Sequence, residues 1–172
     1  QEVDRAAKIV FALKAYSHHS HGGEQILAKV SDTIEVVLTL YHSRLKQKIE
    51  VIRRYDDDVP EILCNPDGLT QVWVNLIDNA IYAMGDGGTL EIAIATQEDY
   101  VVVAIADSGC GIPPESQSKI FEPFFTSKPR GEGSGLGLDI VRQIVQKHHG
   151  KIQVQSSSDH TVFTVFLPLP LG

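Results

Sequence analysis

Two glycine clusters flank a short aromatic segment in the second half of this 172-residue chain. The first reads DSGCG (107–111), and the second reads GSGLG (133–137) and leads directly into an apolar-periodic segment. Glycine lets a backbone approach a ligand with no Cβ in the way. A glycine-rich loop at a helix N-terminus also presents free N–H groups and the positive end of the helix dipole, which attract phosphate. The spacing therefore predicts a nucleotide site, with the Pro- and Phe-containing middle as a movable cover.

Two asparagines, Asn75 and Asn79, lie four residues apart in a segment with a long apolar face. At that spacing both side chains project from one side of a helix, at the edge of the buried stripe. Asparagine is a mediocre helix former that usually belongs at caps, so two of them in mid-helix need a reason. One reading is solvent exposure. The other is that their amide oxygens bind a hard cation, Mg²⁺, which takes few protein ligands and keeps phosphate and water.

Two further clusters are metal candidates by composition alone. The tract SHHSHGG (17–23) has no Cys or carboxylate at ligand spacing, which favours a solvated linker. The three adjacent aspartates at 56–58 precede Val59-Pro60, and consecutive carboxylates more often form a solvated loop than a metal site. Neither cluster is expected to bind metal.

The composition fits one globular domain with a real core, at 42% hydrophobic and 22% charged residues. A formal charge of -7 argues against nucleic-acid binding, so an anionic nucleotide must be met by local donors and a cation. With only Cys64 and Cys110, the chain has no disulfide framework and fits a reducing compartment. No apolar run approaches the roughly 18 residues that span a bilayer, and residues 1–10 carry no signal-peptide pattern.

Hydrophobic periodicity predicts the elements that position these residues. Helices are predicted at 4–17, from an N-cap at Ser31 through Leu45, from Asn65 to Met84, and from Leu138 to His148. Strands are predicted at 49–55, 89–95, 100–106, 151–155 and 162–167, the last four as two hairpins. Adjacent hairpins favour an antiparallel or mixed sheet with the helices packed on one face, an α+β fold. The short first helix is expected to pack on something outside the chain or in a dimer.

Four motifs on these elements resemble, in order, the N, G1, F and G2 boxes of bacterial sensor histidine kinases. They are QVWVNLIDNA (71–80), DSGCG (107–111), IFEPFFTSK (120–128) and GSGLGL (133–138). The chain thus resembles the catalytic, ATP-binding domain of these kinases, in the GHKL superfamily with gyrase, mismatch-repair and heat-shock-chaperone ATPases. The resemblance implies the Bergerat ATP-binding fold, a two-layer α/β sandwich with a mixed, mostly antiparallel sheet and a mobile ATP lid. It also implies a tail of a dimerisation hairpin plus linker at 1–22 and the ATP-binding catalytic domain at 23–172.

The same resemblance assigns roles to single residues. Asn79 is the implied Mg²⁺ ligand, and Asn75 supports the metal and phosphates, so both are candidate metal-binding and catalytic residues. Asp107 is implied to accept a hydrogen bond from the adenine amine. The implied ATP-binding residues are Asn79, Asp107, Gly109, Gly111, Ile112, Lys128, Gly133, Ser134, Gly135, Leu136, Gly137, Leu138 and Thr161. The three phenylalanines of the F box are expected to anchor the lid in the core rather than touch ATP.

Two positions depart from the family pattern. Tyr82 stands where many relatives carry a basic residue, so phosphate neutralisation falls to Mg²⁺, Lys128 and Arg130. A late G-x-G-T pattern is replaced by Ser-Asp-His-Thr, and only Thr161 fits it. In this late pattern the resemblance on the adenine side therefore rests on Thr161 alone.

The residue one helical turn before the metal-binding asparagine decides between two reactions. ATPases of the gyrase type carry a glutamate there that activates water, whereas here the position is Asn75, a neutral amide and a poor base. The site therefore favours transfer of the γ-phosphoryl group, which needs mainly positioning and charge neutralisation. By resemblance the acceptor is a histidine on a helical dimerisation domain, and the pathway continues to a response-regulator receiver domain.

The chain itself is expected to lack that acceptor. The family's phosphorylated histidine is typically followed by Glu or Asp, and none of the seven histidines here is. We therefore expect a fragment that binds ATP but autophosphorylates negligibly alone, from a homodimeric parent with its catalytic part in the cytoplasm, whether membrane-anchored or not. Two rival functions stay open: an ATP-binding regulatory or interaction module without phosphotransfer, and a hydrolytic ATPase.

Overall fold

The computed structural model describes residues 24–126 and 137–171. The helix predicted at 4–17 and the histidine tract lie outside these ranges, so the division of the chain near residue 22 stays a prediction. In chain order the elements are β1 (Ile26–Ala28), α1 (Val30–Leu40), α2 (His42–Lys48), β2 (Ile49–Tyr55), β3 (Ile62–Cys64), α3 (Pro66–Met84), β4 (Gly88–Gln97), β5 (Tyr100–Asp107), α4 (Pro114–Gln117), α5 (Gly137–Lys147), β6 (Lys151–Ser157) and β7 (His160–Pro168). None of the helices in this part of the chain is long and apolar enough to cross a bilayer.

One mixed sheet carries the fold, with the strand order β2-β4-β5-β7-β6. β2 runs parallel to β4, and the other neighbouring strands are antiparallel. Successive side chains of a strand point to opposite faces, and β5 shows the result, since its alternate residues from Val101 to Asp107 are buried. The buried face joins α1, α3 and α5 in a common hydrophobic core. The predicted α+β sandwich, with helices on one face of a mostly antiparallel sheet, is confirmed.

The central helix α3 is specified by its own sequence. Asn65 caps it by accepting the Gly68 N–H at 3.3 Å, and Pro66 occupies the first turn, where its missing N–H costs nothing. The helix ends at Gly85, whose φ of 50° suits glycine. The fully buried Trp73 donates its indole N–H to Thr33 Oγ1 at 2.8 Å and so joins α3 to α1. This helix therefore forms the middle of the helical layer.

The second predicted helix differs from the observed one at both ends. It begins at Val30, after Lys29, and no side chain caps it, so the predicted Ser31 cap is wrong. Val30 is buried and extends the apolar face of the helix by one residue, so the helix begins there. The chain then breaks at Tyr41 into α2 instead of continuing to Leu45. The paired strands β1 and β3 were not predicted at all, because three residues are too few to show alternation.

His148 fastens the start of α3 to the end of α5. Its Nε2 accepts the Asn65 N–H at 3.0 Å, and its Nδ1 is 2.8 Å from the Ile144 carbonyl oxygen, to which it must donate. We expect His148→Leu to lower the free energy of unfolding by about 1–3 kcal/mol, since it leaves the part-buried Asn65 N–H without its partner and removes one of the two hydrogen bonds to the Ile144 carbonyl oxygen. Urea denaturation measures this. The exposed His42 gives the matched control, His42→Leu, and an equal loss in both variants would contradict the prediction.

Candidate functional site

One face of α3 carries Gln71, Asn75, Asn79 and Ala83 on successive turns. Residues four apart lie one above the other on a helix, and each step rises about 6 Å. Asn75 and Asn79 are half-buried, as expected for the edge of the apolar stripe. These asparagines are therefore neither fully exposed nor fully buried, and their role as cation ligands stays a prediction. This polar stripe, defined as Gln71, Asn75, Asn79 and Ala83, is the spine of the candidate site.

Asn75 ties the stripe to the end of the second glycine cluster. Its Nδ2 donates to the Gly137 carbonyl oxygen at 2.9 Å, and its Oδ1 accepts from Gln71 Nε2 at 2.7 Å. Both ends of the amide are thus engaged within the protein. Asn75 therefore supports the loop end in this structure, and Asn79 is left as the principal metal ligand predicted on this helix.

The first glycine cluster joins the same stripe about 12 Å further along, at Ala83. The Cys110 N–H donates to the Ala83 carbonyl oxygen at 3.2 Å. A Cβ on Gly109 would lie only 2.7 Å from that oxygen, so only glycine fits against the helix here. The two glycine clusters therefore meet α3 on either side of Asn79.

Asp107 lies at the end of β5 and is only 4% exposed. Its Oδ1 accepts the Gly109 N–H at 2.9 Å. Burial raises the pKa of this carboxyl above its ordinary value, while the Gly109 hydrogen bond and the nearby His160 oppose the rise. A buried carboxylate with one short internal hydrogen bond is an acceptor suited to a polar ligand that brings its own N–H.

Thr161, the only residue that matches the family's G-x-G-T pattern, lies beside Asp107. It is paired with Asp107 across β5 and β7, and both side chains are buried. Its Oγ1 is 2.7 Å from the Ser156 hydroxyl oxygen, which accepts the Ile112 N–H at 2.8 Å. The structure therefore brings together Asp107, Ile112 and Thr161. Ser156 was missed, because only the register of β6 against β7 places it here.

Gly111 holds this corner in its path. Its φ is 76°, and a Cβ there would overlap the Ser157 carbonyl oxygen. Gln117 adds hydrogen bonds from its Nε2 to the carbonyl oxygens of Ile112 and Ser156 at 3.0 and 3.3 Å. The glycines of the first cluster thus serve the packing of the loop itself. Whether they also adjoin an adenine base stays a prediction.

The lid is described only at its beginning. Phe121 packs edge-on against Phe163 with ring centroids 6.4 Å apart, and Phe125 is half-buried against the core. Phe124 is 74% exposed, so the expectation that all three phenylalanines anchor the lid in the core is wrong for this one. Its backbone has a positive φ of 65°, which is uncommon for a residue with a Cβ.

Of the second glycine cluster, Gly137 and Leu138 begin α5. Lys128, Gly133, Ser134, Gly135 and Leu136 lie outside the described ranges, as does Arg130, and their roles stay predictions. Asp139, which was not predicted, is buried in the first turn of α5, where its carboxylate accepts from Arg142 at 2.9 Å and from Gln143 at 2.8 Å. The Arg142 guanidinium offsets a negative charge that would otherwise repel an anion at this helix start, and Gln143 satisfies the second carboxylate oxygen.

The donor chemistry near α3 fits a hard cation held by few protein atoms. Over residues 24–126 and 137–171, no group of three His, Cys, Asp or Glu side chains could hold a metal ion. The three aspartates at 56–58 are all exposed, so the predicted solvated loop is confirmed. Among the described residues, a cation at this site would be held by amide oxygen together with oxygens that the ligand brings, and such a ligand set fits Mg²⁺.

A family model described as "Histidine kinase-, DNA gyrase B-, and HSP90-like ATPase" matches residues 64–171 of the chain. The sensory histidine kinase/phosphatase NtrB of Escherichia coli O157:H7 is 35% identical over 158 residues, which are 86% of this chain and 45% of NtrB. The chain thus spans less than half the length of this relative.

Solved structures give the same picture. The nucleotide-free catalytic domain of the histidine kinase ThkA is 32% identical with a TM-score of 0.77, covering 84% of this chain and 95% of that chain. A second structure, of ThkA in complex with the response regulator protein TrrA, is 27% identical with a TM-score of 0.76, covering 96% and 48%. The residues that the family model matches include the polar stripe of α3 and the Asp107 corner.

Proposed function

The chain belongs to the family of histidine kinase-, DNA gyrase B- and HSP90-like ATPases, as an ATP-binding catalytic domain of the sensor histidine kinase type, and we propose that it presents the γ-phosphoryl group of ATP to a histidine on a separate dimerisation domain. The observation that carries this proposal is the attachment of both glycine clusters to one face of α3. The first cluster joins at Ala83 and the second at Asn75, with Asn79 between them. A nucleoside triphosphate laid along this face would have its base at one cluster and its phosphates at the other.

The adenine end is the corner formed by Asp107 and Thr161. The buried carboxylate accepts a hydrogen bond from the exocyclic amine, and the low exposure of the corner strengthens that bond. Ser156 holds both Ile112 and Thr161 in place around it. This end selects a base with an amine donor, because a carbonyl there would face the carboxylate.

The phosphate end is the start of α5. Backbone N–H groups of its first turn have no partner inside the helix and attract phosphate. Asn79 would hold Mg²⁺. The dipole of the first turn offsets only part of the phosphate charge, and the bound cation would neutralise the rest. Asn75 fixes Gly137 against α3, so that the helix start keeps its distance from Asn79.

Transfer to a protein nucleophile is favoured over hydrolysis because the site lacks a base at position 75. The Asn75 amide is neutral, and its oxygen already accepts from Gln71. Water bound here would keep its proton. The described residues can position the nucleotide and neutralise its charge, and phosphoryl transfer needs mainly these two contributions.

Partners are proposed by analogy with the kinases. We infer a cytoplasmic location and a homodimeric parent protein whose dimerisation domain carries the phosphoacceptor histidine. A response-regulator receiver domain is the proposed next acceptor, since the similar ThkA has been solved with the response regulator TrrA.

Phosphotransfer in trans tests the proposal. With radiolabelled ATP and Mg²⁺, the isolated chain should gain no stable acid-labile label, whereas the added dimerisation domain of its parent protein should become labelled on histidine. Binding of ATP without any labelling would favour the regulatory module. Steady phosphate release by the chain alone would favour the hydrolytic ATPase.

Asn79→Ala is expected to remove the dependence of binding on magnesium. Wild-type affinity for an ATP analogue should fall about tenfold when EDTA replaces Mg²⁺, and the variant should bind equally weakly in both buffers, since its ligand oxygen is gone. Calorimetry in the two buffers measures this. Asp67→Ala, at an exposed position in the first turn of the same helix, is the control and should keep the wild-type response. A full magnesium response in the Asn79 variant would exclude this residue as the ligand.

A further inference from the structure

Gln71 is a buried polar residue that the site as described so far does not explain. It is 5% exposed and lies one helical turn before Asn75. Its Nε2 donates to Asn75 Oδ1 at 2.7 Å. Its Oε1 is, within residues 24–126 and 137–171, the single buried side-chain nitrogen or oxygen that has no hydrogen-bond partner. An unpaired buried acceptor is unfavourable, and an apolar side chain of the same length would avoid it.

The polarity of both amides follows from one backbone atom. The Gly137 carbonyl oxygen can only accept, so Asn75 must turn its Nδ2 toward it, at 2.9 Å. That leaves Asn75 Oδ1 facing Gln71, which must in turn present its Nε2. Reversing either amide would set two oxygens against each other. The donor and acceptor of both hydrogen bonds, from Gln71 to Asn75 and from Asn75 to Gly137, are therefore fixed. As a result Gln71 Oε1 is left without a donor.

We propose that Gln71 is a positioning residue for the phosphate end of the nucleotide site, acting through Asn75. By donating to Asn75 Oδ1 it holds that amide in the one orientation that grips Gly137 and sets the start of α5 against α3. The unfavourable Oε1 is retained because no apolar residue could orient Asn75. This inference rests on the proposed function, since it assigns the start of α5 to phosphate.

The proposal predicts a loss of nucleotide binding without a loss of stability. Gln71→Met removes the unpaired acceptor, so the urea midpoint should stay the same or rise. The same change frees the Asn75 amide, so the dissociation constant of a magnesium-bound non-hydrolysable ATP analogue should rise about five- to tenfold. Adenosine, which lacks phosphates, should bind as in wild type. Gln153→Met, on the exposed side of β6, is the matched control and should change neither quantity.

A double-mutant cycle tests the route through Asn75. In an Asn75→Ala background, Gln71→Met should cause no further loss of analogue affinity, because there is no amide left to orient. Additive losses, an equal loss of adenosine binding, or a lowered urea midpoint with unchanged analogue affinity would each overturn the proposal. A wild-type chain that binds neither ligand would instead contradict the proposed function and leave the polarity of the two amides as it is.

Discussion

Asp107→Asn is expected to weaken binding of a magnesium-bound ATP analogue by about 1–3 kcal/mol, which is roughly five- to 150-fold. The adenine amine would lose a charged acceptor, and an asparagine could present its own N–H groups to the amine instead. We also expect the ligand-free variant to be more stable than wild type at neutral pH. Calorimetry measures the first effect and urea denaturation the second.

The stability gain follows from the sign of the pKa shift. Burial raises the pKa of Asp107 in the folded chain above its value in the unfolded chain. The folded state therefore binds the proton more tightly, and the stability that this contributes is present below the unfolded pKa and is lost as the pH rises through the folded pKa. At neutral pH the fold thus carries a carboxylate that it disfavours. Asparagine removes that charge and can still accept the Gly109 N–H.

The same shift gives the pH dependence of binding in wild type. Ligand binding favours the ionised carboxylate, so affinity should fall as the pH is lowered toward the raised pKa. The asparagine variant serves as the control, because adenine itself takes up a proton in acid and only the difference between the two profiles belongs to Asp107. Unchanged affinity in the variant at neutral pH would remove Asp107 from the site, and a lower stability would contradict the assigned cost of its burial.

The fold was largely readable from the sequence because its main elements are long and strongly patterned. The apolar stripe of α3 and the alternation in β4 and β5 extend over many residues, so local periodicity alone identifies them. The errors fall where tertiary packing decides. The break at Tyr41 leaves no signal in the apolar pattern, since the buried Leu38, Tyr41 and Leu45 continue the helical spacing through it. The β1–β3 pair joins segments more than 30 residues apart, and three-residue strands carry no period.

For the site, the sequence predicted which residues are involved but not which atoms they contact. The glycines were predicted to adjoin the base, yet Gly109 and Gly111 are also required by the carbonyl groups of Ala83 and Ser157. No local pattern shows which backbone will come that close. Likewise Gln71 looks like one more residue of the helix until Gly137 is brought to Asn75 from 62 positions away. The sequence could therefore name the candidate residues but could not say which atoms they hold.

Gly111→Ala is expected to cost about 3–4 kcal/mol of folding stability. Two terms add here. The φ of 76° is strained for any residue with a Cβ, and that Cβ would also overlap the Ser157 carbonyl oxygen. To make room, the end of β6 would have to move, which breaks the Ile112–Ser156 hydrogen bond and displaces Thr161 from Asp107. Urea denaturation measures the loss.

Gly85→Ala separates the two terms. Gly85 has a φ of 50°, but nothing lies within 4 Å of the Cβ it would gain, so this variant pays only for its backbone conformation. That term is about 1–3 kcal/mol, and the exposed end of α3 can relax to reduce it. If both variants lose the same stability, the loop after β5 must be free to move away from β6. A corner that yields in this way could not hold Asp107 and Thr161 in fixed positions, and the selection of an adenine base would then need another source.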